Sequence, residues 1–425
     1  MRILSTELPQ HVGNQIMISG WVHSIRQLGH LAFVHLRDRS GIVQIVLEGE
    51  LATLALTPES VITVHGQVVQ SKYGAELHGT QVEVLSPAQA PLPIEVNKKE
   101  IPASLDTILN HRALALRNPK VHATFTIQSV LAGAFRDFFS ARGFTQIFTP
   151  KIVASGTEGG SNLFAIQYFE KQAYLAQSPQ FYKQMMVGAG YERVFEIAPV
   201  YRAEEHNTSR HLNEYTSLDV EMGFIRSFEE LMDLETELLQ YLFHRVAETC
   251  PEELALLGAE VPVIEQIPRL TVQQAQQILL EQYSKTSPEG DLDPEGERLI
   301  CQYYADQGKP ALVFLTHYPR EVRPMYAMPA PDHPALTASF DLLFNGLEIT
   351  TGGQRIHRLE MLEESMRSRS LNLEAFADYL NLFRYGMPPH GGFAIGLERL
   401  TARLLGHNNV REATAFPRDR NRLTP

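Results

Sequence analysis

The chain has 425 residues, which predicts two or three domains, and 44% of its residues are hydrophobic, as in an ordinary globular protein. A formal net charge of −12 disfavours a protein that simply coats nucleic-acid backbone, because such proteins are usually basic. No run of about 18 apolar residues occurs, so we expect no transmembrane helix. The N-terminus lacks the apolar stretch of a secretion signal. The only cysteines, Cys250 and Cys301, form no paired motif, which predicts a cytoplasmic protein without a cysteine zinc site.

Alternating apolar and polar residues predict an all-β module over residues 1–93. The predicted strands cover residues 15–23, 32–38, 41–47, 61–69 and 80–85. Five short strands with glycine turns suit a Greek-key barrel of the OB type, which binds oligonucleotides on one face. Other small barrels fit the same pattern equally well.

The proline-rich residues 86–93 end this module, and residues 94–120 read as a linker and short helical hinge. From residue 121 to 425 strands and helices alternate. Helical spacing of apolar residues predicts helices over residues 124–142, 231–247 and 270–281.

Two distant segments each present an arginine. Residues 195–204 read as a strand entering a loop with Arg202 and Glu204 at its mouth. Residues 391–400 read as a glycine-rich strand running into a helix whose first turn carries Arg399. Guanidinium groups match phosphate oxygens and stack on purine rings, so the pair suits a nucleoside triphosphate. No Walker loop occurs in the sequence. Alone, Arg202 and Glu204 could form a surface ion pair worth about 0–1 kcal/mol.

The two segments resemble motifs 2 and 3 of the class II aminoacyl-tRNA synthetases. Residues 144–150 resemble motif 1, which forms the dimer interface in that family and so implies a homodimer. The resemblance covers nearly the whole chain. It implies an α+β protein with an OB-fold anticodon-binding domain (1–93), a hinge (94–120) and a catalytic domain (121–425) whose antiparallel sheet is flanked by helices. No large insertion separates motifs 2 and 3, which indicates the shorter archaeal and eukaryotic type.

The resemblance implies an ATP site with magnesium as the cofactor. Arg202 matches the arginine that grips the α-phosphate, and Arg399 the one that covers adenine and the γ-phosphate; these two are the implied catalytic residues. The other implied ATP contacts are Glu204, Arg210, His211, Tyr215 and Glu348. Glu348 and Thr351 match the magnesium ligands, with Asp341 nearby, and hard oxygen donors of this kind suit the ion.

Residues 176–184 narrow the resemblance to the aspartyl-tRNA synthetases. Lys183 and Arg355 match the two cations that hold the side-chain carboxylate of aspartate. Such a site rejects asparagine, because a neutral amide leaves buried donors unpaired. Lys183 on its own would pass for an exposed helix lysine. The other implied aspartate contacts are Glu158, Ser178, Gln180, Asp219 and Tyr326.

In the predicted barrel, four residues resemble the anticodon-reading set: Arg26, Phe33, Gln44 and Glu83. Phe33 would stack an unpaired base, a contact of about 1–3 kcal/mol, unless it is a core aromatic. His23 and Pro87 match family members that charge the asparagine tRNA as well as the aspartate tRNA.

The expected function is therefore ATP-dependent attachment of L-aspartate to tRNA(Asp), and also to tRNA(Asn), through an aspartyl-adenylate. We expect no membrane or DNA partner. Alternatives are an asparaginyl-tRNA synthetase, an adenylating paralogue that makes a small amide without tRNA, and a non-catalytic RNA-binding module. The barrel disfavours the paralogue, and the arginine and carboxylate set disfavours the RNA-binding module.

Overall fold

The computed structural model describes residues 2–156 and 162–425. The chain divides into two compact units, Met1–Asn118 and Pro119–Pro425. Within the described residues, no helix combines the length and apolar character needed to cross a membrane.

The first unit is a closed five-stranded barrel with the strand order β1-β2-β3-β5-β4. The strands are β1 (Gln15–Leu28), β2 (Leu31–Arg37), β3 (Ile42–Glu48), β4 (Val61–Ser71) and β5 (Gly74–Ser86). On β2, Ala32, Val34 and Leu36 are buried in the barrel core, whereas Phe33 and His35 between them are only partly buried. Because side chains alternate between the faces of a strand, Phe33 points away from the core, and the reading of Phe33 as a core aromatic is wrong.

After the barrel, the predicted hinge contains two short helices, α1 (Leu105–Asn110) and α2 (Arg112–Ala115). The Ser104 side chain caps α1 by accepting a hydrogen bond from the Thr107 backbone N–H. Ile94, Val96 and Ala115 form a small buried cluster that anchors this segment.

The second unit is built on an eight-stranded sheet with the order β12-β13-β14-β15-β16-β11-β10-β6. Its strands are β6 (Thr145–Gln146), β10 (Arg193–Tyr201), β11 (Glu214–Gly223), β12 (Arg269–Thr271), β13 (Leu312–Thr316), β14 (Ser339–Phe344), β15 (Leu347–Arg355) and β16 (His390–Gly396); a separate small sheet holds β7 (Ile152–Val153), β8 (Ala165–Tyr168) and β9 (Lys171–Leu175). The helices are α3 (Pro119–Ala141), α4 (Gln180–Met186), α5 (Glu229–Thr249), α6 (Pro251–Leu257), α7 (Val272–Tyr283), α8 (Pro294–Ala305), α9 (Leu359–Ser368), α10 (Ala377–Arg384) and α11 (Leu397–Leu404).

The sheet is mainly antiparallel, as the resemblance implied, with one parallel strand pair at each edge. The six inner strands are antiparallel, but β6 pairs with β10, and β12 with β13, in parallel. Parallel neighbours need a crossover connection, and here α4 lies between β6 and β10, while α7 and α8 lie between β12 and β13.

One face of this sheet packs on α3, α5 and α11 in a large apolar core. The alternation along β11 shows how the two faces are separated: Leu218 and Val220 belong to this core, whereas Ser217, Asp219 and Glu221 point to the opposite face. That second face carries the polar side chains that form the candidate site.

Candidate active site

A row of residues crosses four strands on the polar face of the sheet. Asp219 of β11 is paired with Ala394 of β16, Ala394 with Thr351 of β15, and Thr351 with Asp341 of β14. Beyond His390, β16 carries only small residues on this face, at positions 392, 394 and 396. The strands therefore form a shallow trough, with polar side chains on both flanks and bare backbone along its floor.

Gly392 is the tightest point of this floor. A Cβ atom at this position would lie 2.0 Å from the Val220 carbonyl oxygen and 2.4 Å from Glu221 Oε2. Only glycine fits there, because any side chain would push β11 away or displace the Glu221 carboxylate.

One end of the trough is a cavity lined by every residue predicted to bind ATP. These are Arg202, Glu204, Arg210, His211, Tyr215, Glu348 and Arg399. Arg202 follows β10, and Arg399 lies in the first turn of α11, as the sequence predicted. Arg399 donates a hydrogen bond to the Glu348 carbonyl oxygen at 2.9 Å, and its guanidinium lies 3.6 Å from the Glu348 carboxylate. The Arg202 guanidinium carbon lies 5.7 Å from the centre of the Tyr215 ring.

Two carboxylates near this cavity were not predicted. Glu297 of α8 pairs with Arg210, and burial raises the pKa of Glu297 to about 7. Glu398 accepts hydrogen bonds from the Thr216 backbone N–H at 3.0 Å, and burial raises its pKa to about 7. The sequence of α8 did not single out Glu297, because its position in the site depends on the contact with Arg210, which lies 87 positions earlier in the sequence.

The other end of the trough is a second cavity, lined by the described residues that were predicted to bind aspartate. These are Ser178, Gln180, Lys183, Asp219, Tyr326 and Arg355. Glu158 lies outside the described residues. The two cavities share Ser178, Arg202, Glu348, Thr351 and Ala394 as lining residues. They are therefore adjoining parts of one site.

Lys183 and Arg355 meet at Glu221, a fully buried carboxylate that was not predicted. Lys183 Nζ lies 3.0 Å from Asp219 Oδ1 and 3.4 Å from Glu221 Oε2, and Arg355 Nε donates to Glu221 Oε1 at 3.1 Å. Burial opposes ionisation of Glu221, but Arg355 and Lys183 outweigh it and hold the pKa of that carboxyl below its usual range. Two buried cations and two buried carboxylates thus balance one another beside this cavity.

Of the residues predicted to hold magnesium, Glu348 and Thr351 line both cavities, and Asp341 lines the second one. The Thr351 hydroxyl donates to Glu348 Oε1 at 2.9 Å. Asp341 accepts from Arg323 at 2.7 Å through Oδ2, whereas its buried Oδ1 has no hydrogen-bond partner among the described residues. Burial raises the pKa of Asp341, Arg323 lowers it, and the Glu348 carboxylate raises it again. An unsatisfied carboxylate oxygen beside a second carboxylate fits a hard divalent cation.

Within the described residues, no three carboxylate, histidine or cysteine groups come together as a complete metal site. Glu348, Thr351 and Asp341 therefore fit an ion that takes its remaining ligands from phosphate oxygens and water, as magnesium commonly does. Arg323, which holds Asp341, was missed because residues 323 and 341 meet only through the fold.

In the barrel, three of the predicted anticodon residues lie on adjoining strands. Arg26 of β1 is paired with Phe33 of β2, and Gln44 of β3 is paired with His35 of β2. Gln44 donates to Glu76 at 2.8 Å. The register places Glu83 elsewhere, on β5 opposite Thr63 of β4.

His23 and Pro87 flank one turn, residues 57–60. That turn exchanges two backbone hydrogen bonds with Val22, next to His23, at 2.7 and 2.8 Å. It also binds Ala88, next to Pro87, through two side-chain hydrogen bonds of 3.0 Å. The turn thus links the two positions that were predicted to set tRNA choice.

Arg202 and Arg399 reach the first cavity from the ends of two sheet strands rather than from a phosphate-binding loop, in the two segments that resemble motifs 2 and 3 of the class II aminoacyl-tRNA synthetases. Residues 104–420 match the family model "tRNA synthetases class II (D, K and N)", and residues 16–85 match "OB-fold nucleic acid binding domain". The chain belongs to this family of class II tRNA synthetases.

Relatives of the chain span its full length. It is 52% identical to the aspartate–tRNA(Asp/Asn) ligase of Thermus thermophilus, with 100% of each chain covered. It is 45% identical to the aspartate–tRNA(Asp) ligase of Pyrococcus abyssi, with 99% of each covered. Its structure is similar to that of asparaginyl-tRNA synthetase from Pyrococcus horikoshii complexed with asparaginyl-adenylate, with a TM-score of 0.93, 29% identity and 100% of each chain covered.

Proposed function

We propose that this chain is an aspartate–tRNA ligase that joins L-aspartate to tRNA(Asp), and also to tRNA(Asn), at the expense of ATP. Relatives at 44–52% identity over 97–100% of the chain bear the name aspartate–tRNA(Asp/Asn) ligase. The observation that carries the proposal is the meeting of Lys183 and Arg355 in one buried pocket beside the nucleotide cavity.

The charges of this pocket favour aspartate over asparagine. Asp219, together with Gln180, takes the α-ammonium group of the substrate. The side-chain carboxylate then joins Glu221 as the second anion facing Lys183 and Arg355. Asparagine would leave one of these buried cations without a partner, and an unpaired buried charge is costly. The same pocket disfavours the asparaginyl alternative.

In the first step the α-carboxylate of aspartate attacks the α-phosphorus of ATP, giving aspartyl-adenylate and releasing pyrophosphate. Arg202 offsets the charge that grows on the α-phosphate, and its position in the lining of both cavities supports this role. Tyr215 and Arg399 hold adenine, and Arg399 also reaches the γ-phosphate, with Glu204, Arg210 and His211 completing the nucleotide contacts. In the second step the terminal ribose hydroxyl of the tRNA takes the aspartyl group.

No side chain acts as a nucleophile in this scheme, so the protein contributes positioning and charge stabilisation. Glu348 and Thr351, with Asp341 nearby, would hold magnesium, which supplies positive charge to the phosphates when bound. The Thr351 hydroxyl also fixes the Glu348 carboxylate through their 2.9 Å hydrogen bond.

The barrel reads the anticodon through Arg26, Phe33 and Gln44, with Glu83 as a further contact. The outward orientation of Phe33 supports this role, because a base can stack only on an accessible ring. His23 and Pro87 relax the choice between the two tRNAs. Their shared turn, residues 57–60, supports a joint effect.

The enzyme acts as a cytoplasmic homodimer in this proposal. The segment that resembles motif 1 supports a dimer, because Phe148 within it is 83% exposed and Ile152 just beyond it is 49% exposed. A second copy of the chain would cover these side chains.

The amino-acid assignment is tested by ATP–pyrophosphate exchange with purified protein and each amino acid in turn. We expect aspartate-dependent exchange and at most trace exchange with asparagine. Exchange with asparagine but not with aspartate would overturn the assignment.

The tRNA assignment is tested by charging purified tRNA(Asp) and tRNA(Asn). We expect both to be aspartylated, and the His23→Ala variant to lose tRNA(Asn) charging relative to tRNA(Asp) charging. Charging of tRNA(Asp) alone by the unmodified enzyme would show that His23 and Pro87 do not relax tRNA choice.

A further inference from the structure

Behind the amino-acid pocket, a chain of buried side chains connects Gln180 to the backbone of a distant segment. The Gln180 amide nitrogen donates to Gln184 Oε1 at 3.0 Å, one turn further along α4. The Gln184 amide nitrogen lies 2.7 Å from His390 Nε2, and His390 Nδ1 lies 2.8 Å from the Pro388 carbonyl oxygen. Tyr379 of α10 donates its hydroxyl hydrogen to Gln184 Oε1 at 3.1 Å.

The Pro388 carbonyl oxygen at one end of this series of hydrogen bonds determines the direction of the others. A carbonyl oxygen can only accept, so His390 Nδ1 carries the proton that faces Pro388. Burial lowers the pKa of His390 to about 4, against the raising effect of Glu221, so the ring is neutral and Nε2 must accept from Gln184. The Gln184 oxygen then faces Gln180 and accepts from it.

The last member of the chain faces the substrate pocket. Because its nitrogen donates to Gln184, the Gln180 amide turns its oxygen towards Arg355, whose Nη2 donates to it at 3.4 Å, and both side chains line the cavity. An amide oxygen can accept from the ammonium group of an amino acid, whereas an amide nitrogen would repel it. A flipped Gln180 amide would therefore present the wrong group to the substrate.

We propose that Gln184, His390 and Tyr379 are positioning residues for the amino-acid substrate, which act by fixing the Gln180 amide with its oxygen towards the α-ammonium group. The proposal rests on the proposed function, because it takes Gln180 as a contact of that group. Gln184 and His390 are both 0% exposed, so they act only through their neighbours.

The test uses the Gln184→Met variant, which keeps the length of the side chain and removes both of its hydrogen-bonding groups. We expect the KM for aspartate in pyrophosphate exchange to rise about tenfold or more, because an oriented acceptor to a charged group is lost. We expect the KM for ATP to stay within about twofold, because Gln180 does not line the cavity assigned to ATP.

Succinate is the probe that distinguishes a misoriented Gln180 amide from a general distortion of the pocket. It has both carboxylates of aspartate but no ammonium group, so its inhibition constant against aspartate should stay within about twofold of the unmodified enzyme in Gln184→Met. An unchanged KM for aspartate, or a parallel rise in the succinate constant, would overturn the proposal.

The Tyr379→Phe variant gives a milder, matched test and carries the proposal if Gln184→Met folds poorly. The Tyr379 ring stacks on Phe181 with centroids 4.3 Å apart, and this contact survives the substitution. Loss of one neutral donor should raise the KM for aspartate about two- to tenfold, again without a change for succinate. Absence of aspartate-dependent exchange in the unmodified enzyme would instead refute the proposed function, so the two failures are distinguishable.

Discussion

Glu235, on α5, is a carboxyl group buried in the core beneath the active-site sheet. Its side chain is fully buried, and neither oxygen makes a hydrogen bond with the described part of the chain. Burial dominates and raises the pKa of Glu235 from 4.5 to about 8, against the lowering effect of the nearby Thr350 hydroxyl. The group is thus protonated in the folded protein at neutral pH, whereas it is ionised in the unfolded chain.

This difference makes the unfolding free energy depend on pH. Below pH 4.5, Glu235 is protonated in both the folded and the unfolded state, and the stability of the folded state is not reduced by this group. As the pH rises towards the folded-state pKa, the unfolded chain releases its proton more readily, and this stability is lost. A shift of about 3.5 pH units corresponds to at most about 5 kcal/mol, or about 1.4 kcal/mol per pH unit within the window. In the Glu235→Gln variant this dependence disappears, because the amide does not titrate. Its buried amide carries a desolvation cost, but that cost is the same at every pH.

The measurement is urea unfolding at steps from pH 5 to 8.5, followed by two signals. Far-UV circular dichroism reports mainly on Pro119–Pro425, which contains α3–α11. Trp21, the single tryptophan, reports on the barrel and serves as the internal control. By circular dichroism, we expect the stability of Glu235→Gln relative to the unmodified protein to rise with pH. By the Trp21 signal, we expect the two proteins to differ by the same amount at every pH. A difference between the two proteins that is the same at pH 5 and pH 8 would refute this reasoning.

Three further substitutions test other parts of the structure. Gly392→Ala should lower stability by about 1–3 kcal/mol through overpacking against Val220 and Glu221, and abolish most exchange activity; an alanine variant with unchanged Tm and activity would contradict the close approach at this position. Glu59→Gln should destabilise the barrel by about 3–5 kcal/mol, measured from the unfolding transition of Trp21, because Glu59 is buried between Arg37 at 2.7 Å and Arg117 at 3.0 Å. The control is Glu83→Gln, which changes an exposed glutamate and should have no such effect. Lys183→Met should raise the KM for aspartate about 10- to 100-fold with little change for ATP, whereas the exposed Lys171→Met should change neither constant; equal losses for both substrates would point to general damage.

The sequence predicted the elements that depend on local pattern. The helices predicted over residues 124–142, 231–247 and 270–281 correspond to α3, α5 and α7, and the predicted barrel strands are all present. Arg202 and Arg399 could be singled out because each lies at the end of a recognisable strand. Glu221 was missed although it lies two residues after Asp219 on the same face. Its significance depends on Lys183 and Arg355, which approach it from α4 and β15, and no local pattern encodes that meeting. The parallel pairing of the two outer strand pairs was missed for the same reason.

The small residues along β16 lie between two strands, β11 and β15, that carry the charged side chains of the site. In the proposed function, the backbone and small residues of β16 support the ligands, while the charged groups that distinguish one amino acid from another lie on the neighbouring strands and on α4. A change of amino-acid preference would then require substitutions only among those charged groups, with the residues proposed to bind ATP unchanged. The close structural likeness to an enzyme that handles asparagine is what such a division of labour allows.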